Sequence, residues 1–130
     1  IHKFKRKKRY GRSIKNRSPG LMQSELKRKA EQYDIPYFEI NRTAYKASQL
    51  HHDTGEYIKP KLSERFKVID GHKVQRDLYS AFLICNTSSS LTIPDFEICN
   101  SSFPRFVEIH NTLINNMKKR GFSMKQCFGF

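Results

Sequence analysis

One hundred and thirty residues suffice for one small domain or a piece of a larger one. Ten Phe and six Tyr in a chain that is 37% hydrophobic are too many for a solvated coil, and no apolar run approaches the ~18 residues of a membrane span, which excludes complete disorder and a membrane-spanning protein. Lys and Arg number 25 against 12 acids, a net charge of +13 that is the footprint expected of a nucleic-acid binder, the alternative being a generally basic protein or one docked on an acidic partner.

Residues 1–17 form a basic leader. Lys3, Lys5, Arg6, Lys7, Lys8, Arg9, Arg12, Lys15 and Arg17 carry nine positive charges with no acid among them, and Phe4 and Tyr10 interleave. Such a block repels itself as a free chain and settles against phosphates. No apolar stretch follows it, so no secretory signal is expected. Cys85, Cys99 and Cys127 are odd in number and irregularly spaced, which suits free thiols in a reducing cytoplasm. The chain opens on Ile1 rather than Met, from which an upstream portion is expected.

Ser18-Pro19 predicts an N-cap and a first-turn proline for a helix over 18–33, with Leu21, Met22, Leu26, Ala30 and Tyr33 near one stripe. Pro36 breaks it, and residues 37–40 read as a short strand. Two turn signals follow, Thr54-Gly55 and Asp70-Gly71. The second lies between Val68-Ile69 and His72-Lys73-Val74 and predicts a tight hairpin with positive backbone angles. The first predicts a looser hairpin ending at Tyr57 and Ile58. Two small hairpins with so few apolar residues need a metal or a surface to lie on.

Residues 76–86 return to helix, with Leu78, Ala81, Phe82 and Cys85 on one face and Tyr79, Leu83 and Ile84 widening it. A loop at Ser88-Ser89-Ser90 leads to a last helix over 103–120, capped by Ser102 with Pro104 in its first turn. Its stripe is Phe106, His110, Leu113, Ile114 and Met117, on which His110 reads as a satisfied core histidine. Lys118, Lys119 and Arg120 suit the C-terminal dipole, Gly121 stops the helix, and 122–130 read as a short tail.

Two stretches carry more than local structure. Ser48-Gln49-Leu50-His51-His52-Asp53-Thr54-Gly55 is followed by Asp70-Gly71 and, after four intervening residues, by Arg76-Asp77-Leu78-Tyr79-Ser80-Ala81. This order resembles the C-terminal part of TnpB, the RNA-guided nuclease of bacterial insertion sequences, related to type V CRISPR effectors. There Ser-Gln-x-Cys-x-x-Cys-Gly opens a zinc ribbon, a second Cys-x-x-Cys-Gly closes it, and Arg-Asp-x-Asn-Ala-Ala follows at this spacing. The similarity spans roughly residues 5–86. Carried over position by position, the four ligand places fall on His51, Thr54, Lys67 and Asp70. Thr and Lys are not zinc ligands, so the resemblance implies a degenerate ribbon without structural zinc; the alternative is a rearranged site drawn from His51, His52, Asp53, Asp70 and His72.

By the same resemblance Asp77 falls on the third catalytic acid of a RuvC-type site, in which carboxylates hold two Mg (or Mn) ions. An Asp at a helix start is equally an ordinary N-cap. Tyr79 and Leu83 stand where the family carries other residues, Asn in the case of Tyr79. The family's first two acids lie upstream of everything in this chain, and one carboxylate cannot hold two metals, so the isolated chain is not expected to cleave. The resemblance thus implies an α/β, partial RNase H-like (RuvC-type) fold: a leader over 1–17, helix and strand over 18–47, a degenerate ribbon-like insertion over 48–75, and C-terminal helices over 76–130. The implied function is the C-terminal segment of an RNA-guided DNA endonuclease, partnered by guide RNA, DNA and the rest of the nuclease, in a bacterial cytoplasm near the nucleoid. The alternative is a nuclease-dead relative that binds RNA or DNA or represses.

Overall fold

The computed structural model describes residues 18–129, so the leader with its nine basic candidates lies outside the described residues. The chain divides into two units, 1–39 and 40–130. The described part combines helices with one small two-stranded sheet, a mixed α/β content. Among the described residues no helix is long and apolar enough to cross a membrane.

In the first unit, helix α1 spans Pro19–Gln32. Ser18, the N-cap expected from the sequence, makes no capping bond through its side chain. Its backbone is left-handed (φ 41°, ψ 52°), whereas a capping side chain reaches the second and third amides from the extended region. The other end closes as a Schellman turn. Asp34 takes the left-handed position (φ 56°), its N–H donating to the Glu31 carbonyl (3.3 Å) and that of Ile35 to the Ala30 carbonyl (2.8 Å), with Pro36 next. The stripe of Leu21, Met22, Leu26 and Tyr33 is exposed. Residues 37–40 form no strand, because they have no hydrogen-bonded partner among the described residues, and an extended segment without one is not a sheet element.

The second unit begins with a single helical turn, α2 (Arg42–Tyr45), whose N-cap Asn41 accepts from the amides of Thr43 and Ala44. Thr54-Gly55 makes the looser of the two turns: Gly55 sits at φ 73°, its N–H donates to the His51 carbonyl, and Leu50 bridges Tyr57. Strands β1 (Phe66–Ile69) and β2 (His72–Gln75) pair antiparallel, with Lys67 opposite Val74 and Ile69 opposite His72. The two turn residues between them, Asp70 (φ 46°) and Gly71 (φ 73°), take the positive angles that match the right-handed twist of the strands.

Helix α3 (Arg76–Cys85) starts directly at the end of β2. Its buried residues are Tyr79, Phe82 and Leu83, while Leu78, Ala81, Ile84 and Cys85 are exposed. The buried stripe is therefore rotated from the expected one. Helix α4 spans Phe96–Lys119, seven residues longer at its start than the sequence predicts. Asp95 is the true cap, accepting from the Ile98 amide at 3.1 Å, and Pro104 sits inside the helix. The proline ring opposes the carbonyl of Asn100, four residues back on the exposed side, where water can take the lost bond. Buried Cys99, Phe103, Val107, His110 and Ile114 keep three- and four-residue spacing straight through it. Gly121 (φ 87°) ends α4. A one-turn helix, α5 (Met124–Cys127), follows in the expected tail, opened by a capping box in which Ser123 and Gln126 exchange side-chain and backbone bonds.

The core of this unit forms where the hairpin, α3 and α4 meet: Leu50, Ile69, Val74, Tyr79, Leu83 and Cys99 are fully enclosed. Tyr45 joins it through a hydroxyl that donates to the Leu83 carbonyl. Ile114, Cys127 and Phe128 make a smaller cluster that fixes the tail.

Candidate functional site

The four ribbon places lie on the two turns, His51 and Thr54 on the first, Lys67 and Asp70 on the hairpin. The turns are joined by side chains bonding to backbone. The Lys67 ammonium donates to the Leu50 carbonyl (3.2 Å), and the Asp53 carboxylate accepts the Asp70 N–H at one oxygen (3.1 Å) and the Thr54 N–H at the other (3.1 Å). Lys67 is 5% exposed, and its Nζ lies 5.3 Å from the centre of the Tyr79 ring, a cation–π contact. Burial, helped by the positive charge of Arg76, lowers its pKa to about 8. Burial and the same lysine lower that of His51. An ammonium group is a donor with no lone pair to offer a metal, and Thr54 Oγ1 already accepts from Glu56. The donor set does not fit a structural zinc ion, and no group of three or more His, Cys, Asp or Glu able to hold a metal occurs among the described residues.

His52, an alternative ligand by sequence, is buried in the aromatic core. Its backbone N–H donates to the Tyr79 hydroxyl (2.9 Å), and that hydroxyl also meets its Nδ1 (2.8 Å). A hydroxyl that accepts the amide and donates to Nδ1 satisfies both groups at once. The imidazole sits edge-on to Phe103 with ring centres 4.8 Å apart, and burial lowers its pKa. Tyr79 is therefore a core residue tying the first turn to α3.

Asp77 lies away from this clip. It is in the first turn of α3, but Gln75 is the N-cap, its Oε1 accepting from the Leu78 amide at 2.6 Å. The expected double role of Asp77 as cap is thus filled by the residue two before it. That frees the Asp77 carboxylate, 71% exposed, to face solvent. One oxygen accepts from Gln75 Nε2 (3.3 Å) and the other lies 3.6 Å from Arg76 Nε. Arg76 is itself anchored, its Nη1 donating to the carbonyls of Glu64 (2.9 Å) and Lys61 (3.4 Å). The first helical turn adds the positive end of the dipole, which favours an anionic group there.

The structure thus brings the two turns that carry His51, Thr54, Lys67 and Asp70 together, and Asp77 stands apart from them at the start of α3. Sequence reading missed three contributors: Gln75 as cap, Asp53 as clip and Lys67 as buried donor. Only Asp53 carried a sequence signal, being an Asp directly before a Thr-Gly turn. No protein-family model, curated protein or solved structure matches the chain.

Proposed function

We propose that this chain is the C-terminal segment of an RNA-guided DNA endonuclease of the TnpB kind, that it supplies one catalytic acid, Asp77, and that its basic leader contacts guide RNA or DNA. In this reading the α/β unit is part of an RNase H-like fold, with the hairpin and the preceding turn as a ribbon whose metal has been replaced. The observation that carries the proposal is the setting of Asp77: an exposed carboxylate in the first turn of a helix, held on both sides, directly behind a two-residue Asp-Gly hairpin, in the Arg-Asp order the resemblance requires. Asp77 would hold a Mg or Mn ion together with acids from the upstream portion. Such ions, when bound, activate the attacking water and stabilise the leaving oxygen of a phosphodiester. The chain's own part is to present the carboxylate, with Gln75 and Arg76 restraining it, and to bring phosphates close through Lys3 to Arg17.

The test is Asp77→Asn in the complex that joins this chain to its upstream portion and a guide RNA. The substitution keeps size and removes the charge. Cleavage of target DNA is expected to fall by at least ~100-fold, with RNA and target binding unchanged, because pairing and phosphate contacts supply affinity elsewhere. Normal cleavage by Asp77→Asn removes the acid from the site. A completed complex that never cleaves with Asp77 intact establishes a nuclease-dead binding protein instead.

A further inference from the structure

Behind Asp77 lie Gln75, which restrains it, and a second buried polar residue, His110, to which the proposed chemistry gives no part. Gln75, 8% exposed, spends both ends of its side chain at the start of α3: Oε1 accepts from the Leu78 amide and Nε2 donates to Asp77 Oδ2. Its backbone N–H points the other way, into the unit, and donates to His110 Nε2 on α4 (3.0 Å). A buried amide must find an acceptor, and here no carbonyl supplies it; the imidazole does. For Nε2 to accept, the ring proton sits on Nδ1, which lies 3.1 Å from Asn111 Oδ1. His110 is 2% exposed and flanked by the rings of Phe106 and Phe128, both with centres 6.0 Å away. The tail closes over the same spot. Gly129 stands where a Cβ would come within 3.4 Å of Gln75 Nε2, and its φ of 84° suits glycine.

We infer that Gln75 and His110 are positioning residues for Asp77: His110 fixes the end of β2 through the Gln75 amide, and Gln75 then sets both the first turn of α3 and the direction of the Asp77 carboxylate. The inference rests on the catalytic reading of Asp77 for its consequence but on these three bonds for its geometry. A carboxylate that must share metal ions with acids from elsewhere in the nuclease gains from such restraint, since a misplacement of about 1 Å costs on the order of 100-fold in rate.

Two measurements decide it. In the chain as it stands, NMR reads the Gln75 side-chain amide and the Asp77 carboxyl carbon. His110→Leu is expected to move both, and His110→Gln, whose Oε1 can replace Nε2, to leave both in place. Gln75→Thr keeps a capping oxygen but cannot reach Asp77, and covers the case in which His110→Leu fails to fold. It is expected to move the Asp77 resonance while leaving the rest of α3 unchanged. An Asp77 resonance indifferent to Gln75→Thr overturns the inference. In the completed nuclease, Gln75→Thr and His110→Leu are expected to slow single-turnover cleavage about ten- to a hundredfold without changing target affinity, and to add nothing to Asp77→Asn. Unchanged rates in both overturn it as well. If Asp77→Asn itself cleaves normally, the catalytic reading fails, and the NMR measurement still decides whether the two residues orient the carboxylate.

Discussion

Lys67→Met tests the clip through its dependence on pH. The substitution preserves the buried stem, removes the charge and leaves the Leu50 carbonyl without its donor. At neutral pH two effects oppose each other. Losing the donor costs about 1–3 kcal/mol for a buried carbonyl. Removing a buried ammonium relieves a penalty: with its pKa lowered from 10.5 to about 8 by burial, Lys67 destabilises the folded chain by roughly 3 kcal/mol at pH 7. The two nearly cancel there, so the variant's stability at pH 7 decides little. The pH dependence does not cancel. Lys67 holds its proton less tightly when folded than when unfolded, so between about pH 8 and 10.5 the unfolded state carries more protons and stability rises with pH. From pH 7 to pH 10 the unsubstituted protein is expected to gain roughly 2–3 kcal/mol relative to Lys67→Met. Cys99, raised by burial to about 11, titrates in the opposite sense but is common to both proteins, so the difference isolates the lysine. Urea unfolding of both proteins at pH 7, 8, 9 and 10 measures it. A difference in unfolding free energy that stays constant across that range refutes the burial of a charged Lys67.

Tyr79→Phe is expected to destabilise by about 1–3 kcal/mol, because it strips the buried His52 amide and Nδ1 of their partner; thermal unfolding measures this. Tyr79→Asn, the reversion that family resemblance suggests, is expected to cost more, roughly 3–5 kcal/mol, by emptying a fully buried ring site, and to yield a protein that binds or cuts no better. Elemental analysis of the purified chain is expected to find no stoichiometric zinc; zinc that survives dialysis against a chelator overturns the clip as the closure of the two turns. Deleting residues 1–17 is expected to weaken nucleic-acid binding and flatten its salt dependence by about 0.9 for each phosphate the leader neutralises, read from affinities at several salt concentrations. Equal slopes would put the phosphate-binding surface elsewhere.

Where local chemistry decides structure, the sequence was legible. Asp70-Gly71 names its turn because few other pairs take two positive angles in succession, and both residues adopt them. Gly121 ends α4 because glycine takes a single left-handed position without strain. Where packing decides, it was not. Both sides of α3 are apolar, so spacing alone could not say whether Tyr79 and Leu83 or Leu78 and Cys85 face the core. Pro104 read as a helix start because proline favours the first turn, and the apolar spacing of Phe96, Cys99 and Phe103 before it was the signal that outweighed it. At the candidate site, the place of Asp77 in the first turn of a helix was legible from the apolar run that follows it. Its neighbours were not, since a glutamine cap and a histidine accepting a strand amide 35 residues away depend on contacts that no local pattern encodes.

The two bonds of the clip, Lys67 to Leu50 and Asp53 to Asp70, each close a loop of only 17 residues. A cysteine ribbon acquires its shape when an ion arrives, and loses it when its thiolates are oxidised or the ion is withdrawn. Here both donors and both acceptors are covalently part of the segment they close, and a short loop costs little entropy to join. The bonds that join the two turns therefore lie wholly within residues 50–70, and no thiolate is among the groups that make them.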